Sequence, residues 1–204
     1  MIEYQKRHTL KTQTEKRDMS EKKTMLLVYA GPNGSGKSTI TKFFDVVGTY
    51  TNADDMVTAT GMSNEEAAIL ADNMRYKSIE NREDFTFETV LSSHYKMDIL
   101  EKAKSEGYFI KCIFVLTVDV SVNIARVAAR VALGGHDVEE EKIRSRYVES
   151  LDNIKKLLDI CDILHVYDNT EEPARIIRKH KEEISIFPND LWSEEKILDL
   201  IDYV

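Results

Sequence analysis

One stretch near the start of the chain, MLLVYAGPNGSGKSTITKFF at residues 25–44, limits the possible folds more than any other. Its apolar run from Met25 to Ala30 is typical of a strand that is buried on both faces of a parallel sheet. A loop with three glycines follows this run, and the residues after the loop favour a helix. The order of strand, glycine-rich loop and helix therefore predicts a parallel α/β sheet.

The loop itself fits the pattern G-x-x-x-x-G-K-[ST], which is typical of a phosphate-binding loop. Glycines let successive backbone N–H groups form a concave nest that attracts an anion, and the N-terminal end of the next helix adds to this attraction. We expect Lys37 to reach the β- and γ-phosphates and the Ser38 hydroxyl to ligate Mg²⁺. The residues expected to hold the nucleotide are Gly31, Asn33, Gly34, Ser35, Gly36, Lys37, Ser38 and Thr39.

Strand and helix patterns alternate along the rest of the chain, which predicts an α/β fold. We expect a three-layer P-loop NTPase fold with a mostly parallel five-stranded sheet and a helical lid. Two short helices are expected after the fifth strand, with Pro173 in the first turn of the first helix. The predicted strands are residues 25–30, 49–51, 85–90, 108–118 and 162–168.

Apolar spacing predicts the helices between these strands. Ser63 and Glu66 have the spacing of a capping box, and a helical stripe follows them. A second stripe predicts one continuous helix from Ile143 to Leu158. The first stripe consists of Ala67, Leu70, Ala71 and Met74.

Composition and charge exclude several classes of protein. The chain has 204 residues with a formal net charge of −8, so we expect no nucleic-acid partner. Its apolar runs are too short to cross a membrane, and a cytoplasmic location is expected because no apolar secretory core begins the chain. The two cysteines, Cys112 and Cys161, are predicted to be buried free thiols. We expect a polar lead-in at residues 1–23 and one domain at residues 24–204.

Acidic and amide side chains follow two of the predicted strands. Asn52, Asp54 and Asp55 come after the second strand, and Glu88 lies at the end of the third. Because ligands bind beyond the carboxyl ends of parallel strands, these groups are expected to face the terminal phosphate of a nucleotide. Asp54 is then placed to orient and deprotonate an acceptor hydroxyl. The alternative interpretation is that each acid is an ordinary turn or helix-capping residue.

Four arginines flank a break at LGGHDV. Arg126 and Arg130 are four residues apart on one predicted helix, and Arg144 and Arg146 lie on the next. Two helices joined by a glycine-containing loop would suit a lid that places guanidinium groups on a transferring phosphoryl group. The alternative is a solvated helix face on which the arginines pair with nearby glutamates.

The ordered set of motifs GPNGSGKST, NADD, FETVLSS, RVAARVALGGHDV, IRSRYVESLDNI and YDN resembles the zeta toxin family of P-loop kinases. The resemblance covers roughly residues 25–170. It implies ATP-dependent phosphorylation of a small-molecule hydroxyl, with UDP-N-acetylglucosamine as the acceptor in that family, Mg²⁺ as the metal and an antitoxin as a protein partner.

Carried over by motif, the resemblance implies a role for each candidate residue. Asp54 would be the general base, Glu88 would contact the substrate and Lys37 would hold the β- and γ-phosphates. Arg130, together with either Arg144 or Arg146, would stabilise the transferring phosphoryl group. Arg126 would lie against the adenine.

Two other functions stay open at this point. The absence of the GTPase motif N-K-x-D favours ATP, but a regulatory P-loop ATPase would also contain the phosphate loop. A nucleotide-binding interaction protein of a toxin–antitoxin pair, without sugar kinase activity, is the third interpretation. The catalytic residues expected for the kinase are Lys37, Asp54, Glu88, Arg130 and Arg146.

Overall fold

A computed structural model of the protein describes residues 23–201. Most of the predicted lead-in, and the last three residues of the predicted domain, lie outside this range. The strands are β1 Met25–Ala30, β2 Thr49–Thr51, β3 Phe85–Thr89, β4 Phe109–Leu116, β5 Ile163–Asp168, β6 Ala174–His180 and β7 Glu183–Ile186. The helices are α1 Lys37–Thr41, α2 Ala53–Thr60, α3 Asn64–Asn81, α4 His94–Ser105, α5 Val120–Ala132, α6 Glu140–Asp152, α7 Ile154–Ile160 and α8 Glu194–Leu200.

All seven strands form one sheet in the order β2-β3-β1-β4-β5-β6-β7. The first five in sequence pair in parallel, and β6 and β7 add to one edge as antiparallel strands. The α/β fold and the mostly parallel sheet are thus confirmed. Because β1 lies at the centre, the loop that follows it opens beside the ends of β3 and β4, where ligands of such sheets bind.

The prediction for the segment after β5 is wrong. Within residues 23–201 one helix follows β5, not two, and the segment between them forms β6 and β7. The sheet therefore has seven strands in the described chain, where five were expected. Pro173 directly precedes β6, where its missing N–H removes no internal ladder bond. Charged residues in ARIIRKH suggest a helix, but Ile176 and Ile177 are fully buried once β6 pairs with β5. Tertiary pairing therefore overrides local propensity here.

Two hydrophobic clusters lie on opposite faces of the sheet, which makes three layers. The larger cluster packs α3, α4, α7 and α8 against one face, and Trp192 is buried within it. The smaller cluster joins Ile40 of α1 to Tyr29, Ile113 and Val115. The helix layer on this second face is thin, and it covers mainly β1 and β4.

Two helix predictions need correction. The continuous helix from Ile143 to Leu158 is divided into α6 and α7 at Asn153, whose side-chain amide donates to the carbonyl of Leu91 at 3.0 Å. In α3 the capping box of Ser63 and Glu66 is present as predicted. Leu70, which was expected in the buried stripe of α3, is 42% exposed, while charged residues of the same helix are buried.

The cysteines and the polarity of the helices also bear on the predictions. Cys112 and Cys161 are buried free thiols, as predicted. Within residues 23–201, every helix is too short or too polar to cross a bilayer.

Candidate active site

The glycine-rich loop passes so close to the neighbouring strand that side chains are excluded from parts of it. Gly31 has φ +141°, and a Cβ there would collide with the carbonyl oxygen of Val115. Gly36 has φ +80° and precedes α1, where a Cβ would collide with the side-chain amide of Asn169. The glycines at these positions are therefore required by the left-handed backbone and by close packing.

Two asparagines that the motif analysis did not identify hold the loop in place. Asn123 on α5 donates to the carbonyl of Asn33 at 2.6 Å, and Asn169 after β5 donates to the carbonyl of Ser35 at 2.8 Å. Both asparagines are buried. The two amides bind loop carbonyls and do not occupy loop N–H groups, which attract an anion, although the Ser35 N–H itself donates to the carbonyl of Pro32 at 3.2 Å. YDN was quoted as a motif, but nothing in the sequence alone indicated that its asparagine binds the loop.

Lys37 begins α1 and points back across the loop. Its ammonium donates to the carbonyl of Gly31 at 2.9 Å and to that of Pro32 at 3.3 Å, and lies 4.0 Å from the carboxylate of Glu88. Burial lowers the pKa of Lys37, while the negative charges of Glu88 and Asp54 oppose this change. The cation is therefore held between the phosphate loop and the two predicted carboxylates.

Glu88 lies near the end of β3, and its side chain is only 20% exposed. Burial raises the pKa of Glu88, and repulsion from Asp55 and Asp54 adds to this rise, while Lys37 lowers it. The Tyr50 hydroxyl lies 3.5 Å from the same carboxylate. A carboxyl in this setting can exchange a proton or accept a hydrogen bond from a hydroxyl substrate.

Asp54 is fixed by the start of α2. Asn52 is the N-cap residue, and its side-chain oxygen accepts from the Asp54 N–H at 3.0 Å. Asn52 and Asp54 both line the main cleft of the molecule, whereas Asp55 does not. The helix-capping alternative thus describes Asn52, while the carboxylate of Asp54 faces the space beyond the phosphate loop.

The cleft has a volume of about 870 Å³, which is enough for a nucleotide-sized ligand. It extends from the phosphate loop across the ends of β2 and β3 to α6. Several predicted residues are brought together along its wall. They are Asn33, Gly34, Lys37, Asp54, Glu88, Arg130 and Arg146.

The four predicted arginines have different surroundings. Arg130 lines the cleft and donates to the carbonyl of His136 at 2.9 Å, and Arg146 lies 3.4 Å from the side-chain oxygen of Asn33. Arg144 instead forms an exposed ion pair with Glu140 at 2.6 Å and does not line the cleft. The geometry therefore favours Arg146 over Arg144 as the second arginine near the phosphates.

Arg126 does not line the cleft either. Its guanidinium donates to the carbonyl of Thr170 at 3.0 Å, in the loop that follows β5. A second nitrogen of this guanidinium is buried and has no hydrogen-bond partner within residues 23–201. Ser38 and Thr39 are exposed at the start of α1. These three residues thus lie near the phosphate loop but do not line the cleft.

A buried ionic cluster supports the far wall of the cleft, and the sequence analysis missed it. Arg75 is only 2% exposed and donates to Asp72 at 2.8 Å and to the hydroxyl of Thr51 at 2.9 Å. Lys96 on α4 donates to the same Asp72 carboxylate at 2.6 Å. Arg75 also lies within 3.5 Å of the Glu88 carbonyl. The cluster thereby connects α3 and α4 to the ends of β2 and β3.

The residues present fit a nucleotide with a metal ion held mainly by phosphate oxygens. Within the described range, no three His, Cys, Asp or Glu side chains are close enough to form a metal site of their own. Mg²⁺ commonly binds through substrate phosphates and one or two protein oxygens. The Ser38 hydroxyl at the start of α1 would be one such oxygen.

Comparison with known proteins identifies the family. The sequence model of the zeta toxin family matches residues 50–191, most of the chain. The protein belongs to the zeta toxin family. It is therefore a P-loop kinase, an enzyme that uses ATP, which confirms the family suggested by the motifs.

The individual proteins that this chain resembles share less than 30% of their residues with it. An uncharacterized protein of Haemophilus influenzae is 29% identical over 127 residues, which cover 59% of this chain and 91% of the relative. A structure of the AvrRxo1-ORF1:AvrRxo1-ORF2 complex with ATP has a TM-score of 0.66 and 14% identity over 88% of this chain. This chain spans only 64% of the AvrRxo1 chain that it matches.

A second solved structure has a similar fold. It comes from the PezAT chromosomal toxin–antitoxin system of Streptococcus pneumoniae. Its TM-score is 0.55 with 14% identity, and the match covers 97% of this chain and 87% of that one. At such identities the solved structures establish the fold.

Proposed function

We propose that this zeta toxin family kinase transfers the γ-phosphate of ATP to a hydroxyl group of a small molecule, with Mg²⁺ as the metal. The observation that carries the proposal is the arrangement of Lys37 between the phosphate loop and Glu88, with Asp54 on the same cleft wall. A cation at the terminal phosphates and a carboxylate beyond them are the two groups that phosphoryl transfer to a hydroxyl requires.

In this proposal each residue acts on a defined part of the reaction. The loop N–H groups and Lys37 bind the phosphates, and Asp54 orients the acceptor hydroxyl and accepts its proton. Glu88 binds the acceptor through a hydrogen bond. Arg130 and Arg146 stabilise the negative charge that spreads over the transferring group. Water is excluded when α5 and α6, which carry these arginines, surround the bound substrates.

Replacing Asp54 by asparagine tests the proposal, because the amide has nearly the same shape as the carboxylate but cannot accept a proton. We expect Asp54→Asn to lower kcat for phosphoryl transfer by about 10²- to 10⁴-fold while the affinity for Mg²⁺–ATP is unchanged. Asp55→Asn is the matched control, since Asp55 is on the same helix but does not line the cleft. Transfer of labelled γ-phosphate and equilibrium ATP binding would be measured for both variants.

The same experiment distinguishes the kinase from a regulatory ATPase. A regulatory ATPase hydrolyses ATP without an acceptor, so Asp54→Asn would leave its turnover in buffer unchanged. That result, combined with no phosphate transfer from the unchanged protein to any acceptor tested, would contradict the proposal. UDP-N-acetylglucosamine is the first acceptor to test, because it is the acceptor implied by the resemblance to zeta toxins.

We also propose an antitoxin as a protein partner. The support is membership in the zeta toxin family, together with the similar fold of a chain from the PezAT toxin–antitoxin system. Such a partner would be detected by copurification of a small protein that blocks ATP binding.

A further inference from the structure

The second face of the sheet carries a group of cationic side chains far from the cleft. Within the described chain, α1 and the residues after it reach only as far as Tyr167, whose ring lies 6.4 Å from that of Phe44. Beyond this contact, no helix within residues 23–201 contributes to a hydrophobic cluster on this face of β5, β6 and β7. The side chains named here as the basic face are Lys111, His165, Arg175, Arg178 and His180.

Strand register places these five residues on the same side of the sheet. His165 pairs directly with Arg178, and Ile163, two residues earlier on the same face, pairs with His180 and with Lys111. Arg175 pairs with Tyr167 beyond an irregularity in β6. Side chains that pair directly across neighbouring strands lie about 5 Å apart on one face, so the cations form a continuous patch.

The cations of the basic face form no ion pairs in the described part of the chain. Among the residues that the structure describes, none of the five forms an ion pair. Glu183 pairs with His180 in the register of β6 and β7, so it lies on the same face, but it forms no ion pair with the cations described here. The Nδ1 atom of His165 and the Nε atom of Arg175 are buried without hydrogen-bond partners in the described structure. Unpartnered buried polar atoms are rare in proteins, and they often indicate an absent partner.

The positive charge of the basic face affects the histidine at its centre, His165. Burial lowers the pKa of His165 to about 4, and the charges of Arg175, Lys111, Arg178 and His180 contribute in the same direction. This positive potential occurs on a chain whose net charge is −8. Clustered cations on an acidic protein favour association with a negatively charged partner.

The aromatic rings of this face favour a carboxylate-bearing partner over single-stranded nucleic acid. Nucleic-acid platforms present free aromatic faces on which bases stack. Here Tyr167 packs edge-on against both Phe44 and His165, and the guanidinium of Arg175 covers the ring of Phe187 at 5.2 Å. The rings are thus occupied, whereas the cationic groups keep donors that match carboxylates.

We propose that the basic face is a docking surface for an acidic segment of a partner protein. Carboxylates of the segment would lie across β5 and β6 and bind Arg178 and Lys111, with Arg175 and His180 at the two ends of the contact. The surface is separate from the cleft, so this proposal does not depend on the proposed function.

Arg178 offers a direct test because its side chain is exposed and its loss should not disturb the fold. Binding of a fluorescein-labelled oligoglutamate peptide to the full chain would be measured by anisotropy at low ionic strength. Arg178→Gln should weaken binding about tenfold, as expected for the loss of a charge-assisted carboxylate contact. Lys77→Gln, which removes one exposed positive charge from α3, is the matched control and should bind like the unchanged protein.

Lys111→Gln provides a second variant and should also weaken binding. Equal peptide affinities for Arg178→Gln and Lys77→Gln would overturn the proposal. It would also be overturned if an oligouridylate bound more tightly than the peptide and was lost in the same variant, since the face would then belong to a nucleic acid. A dimer that dissociates on Arg178→Gln would assign the face to a second copy of this chain and would likewise overturn it.

Discussion

Arg144 and Arg146 are two positions apart on α6, and this small separation places them in different surroundings. Arg146 reaches the side chain of Asn33 in the phosphate loop, while Arg144 forms an exposed ion pair with Glu140. Helix geometry explains the difference, because residues two apart point about 200° away from each other around the axis. A sequence pattern alone left the choice between them open.

This difference leads to a prediction for kinase activity. Lysine keeps the charge but loses the planar fork with which arginine binds phosphate oxygens. We therefore expect Arg146→Lys to lower kcat by about 10²-fold, and Arg144→Lys to have no measurable effect. Steady-state transfer assays on the two variants would check this. Equal losses in both would show that α6 presents its arginines differently during turnover.

At the scale of single residues, the order of strand, glycine-rich loop and helix could be predicted from the sequence because its spacing is local. Gly31, Gly36 and Lys37 lie within one short segment whose backbone conformation depends mainly on those residues. Arg75 could not be predicted in the same way. Its partner Thr51 and the second cation of the cluster, Lys96, are distant in sequence, and a charge within a buried stripe is informative only once its surroundings are known.

At the scale of elements, the Asp72–Arg75–Lys96 cluster joins two helices to two strand ends. Removing the guanidinium would leave the hydroxyl of Thr51 without its donor and Asp72 with only Lys96. We expect Arg75→Met to lower the free energy of unfolding by about 2–3 kcal/mol, less than for a fully broken buried pair because Lys96 remains.

Urea denaturation followed by circular dichroism would measure this loss. Lys77→Met is the control, since Lys77 is an exposed residue of the same helix and should change the free energy of unfolding by less than about 0.5 kcal/mol. If Arg75→Met were as stable as Lys77→Met, the cluster would contribute nothing to the connection between α3, α4 and the sheet.

The failed element prediction has a similar physical origin. The segment from Ala174 to Ile186 contains several residues that favour helices, and its strands form only because β5 offers a partner edge. Parallel strands buried on both faces, such as β1 and β4, were recognised from their apolar runs alone. A strand such as β6, whose exposed side chains Arg178 and His180 are polar, carries a much weaker pattern in the sequence.

At the scale of the whole molecule, His165 connects stability to pH. Its pKa is lowered from 6.5 to about 4 in the folded protein, mainly by burial. As the pH falls below about 6.5, the unfolded chain binds a proton at this residue but the folded protein does not until the pH approaches 4. His165 therefore makes the free energy of unfolding fall as the pH drops from about 6.5 to about 4. Above and below this range it adds no further pH dependence.

Replacing His165 should remove this part of the pH dependence of the free energy of unfolding. Between pH 7 and pH 5, the free energy of unfolding of the unchanged protein should fall more than that of His165→Gln. Urea titrations at several pH values would measure both, with His180→Gln as a control in which an exposed histidine of the same strand pair is replaced. Parallel pH profiles for the unchanged protein and His165→Gln would contradict the prediction.

Asn33 connects the glycine-rich loop to the two helices that carry the arginines of the cleft. Its main-chain oxygen is bound by Asn123 of α5, and its side-chain oxygen by Arg146 of α6. A phosphate chain that enters the loop and displaces this asparagine must also disturb both helices. Binding of a nucleotide in the loop would thus be coupled through these two hydrogen bonds to the positions of α5 and α6 and of their arginines. The sheet would not need to rearrange.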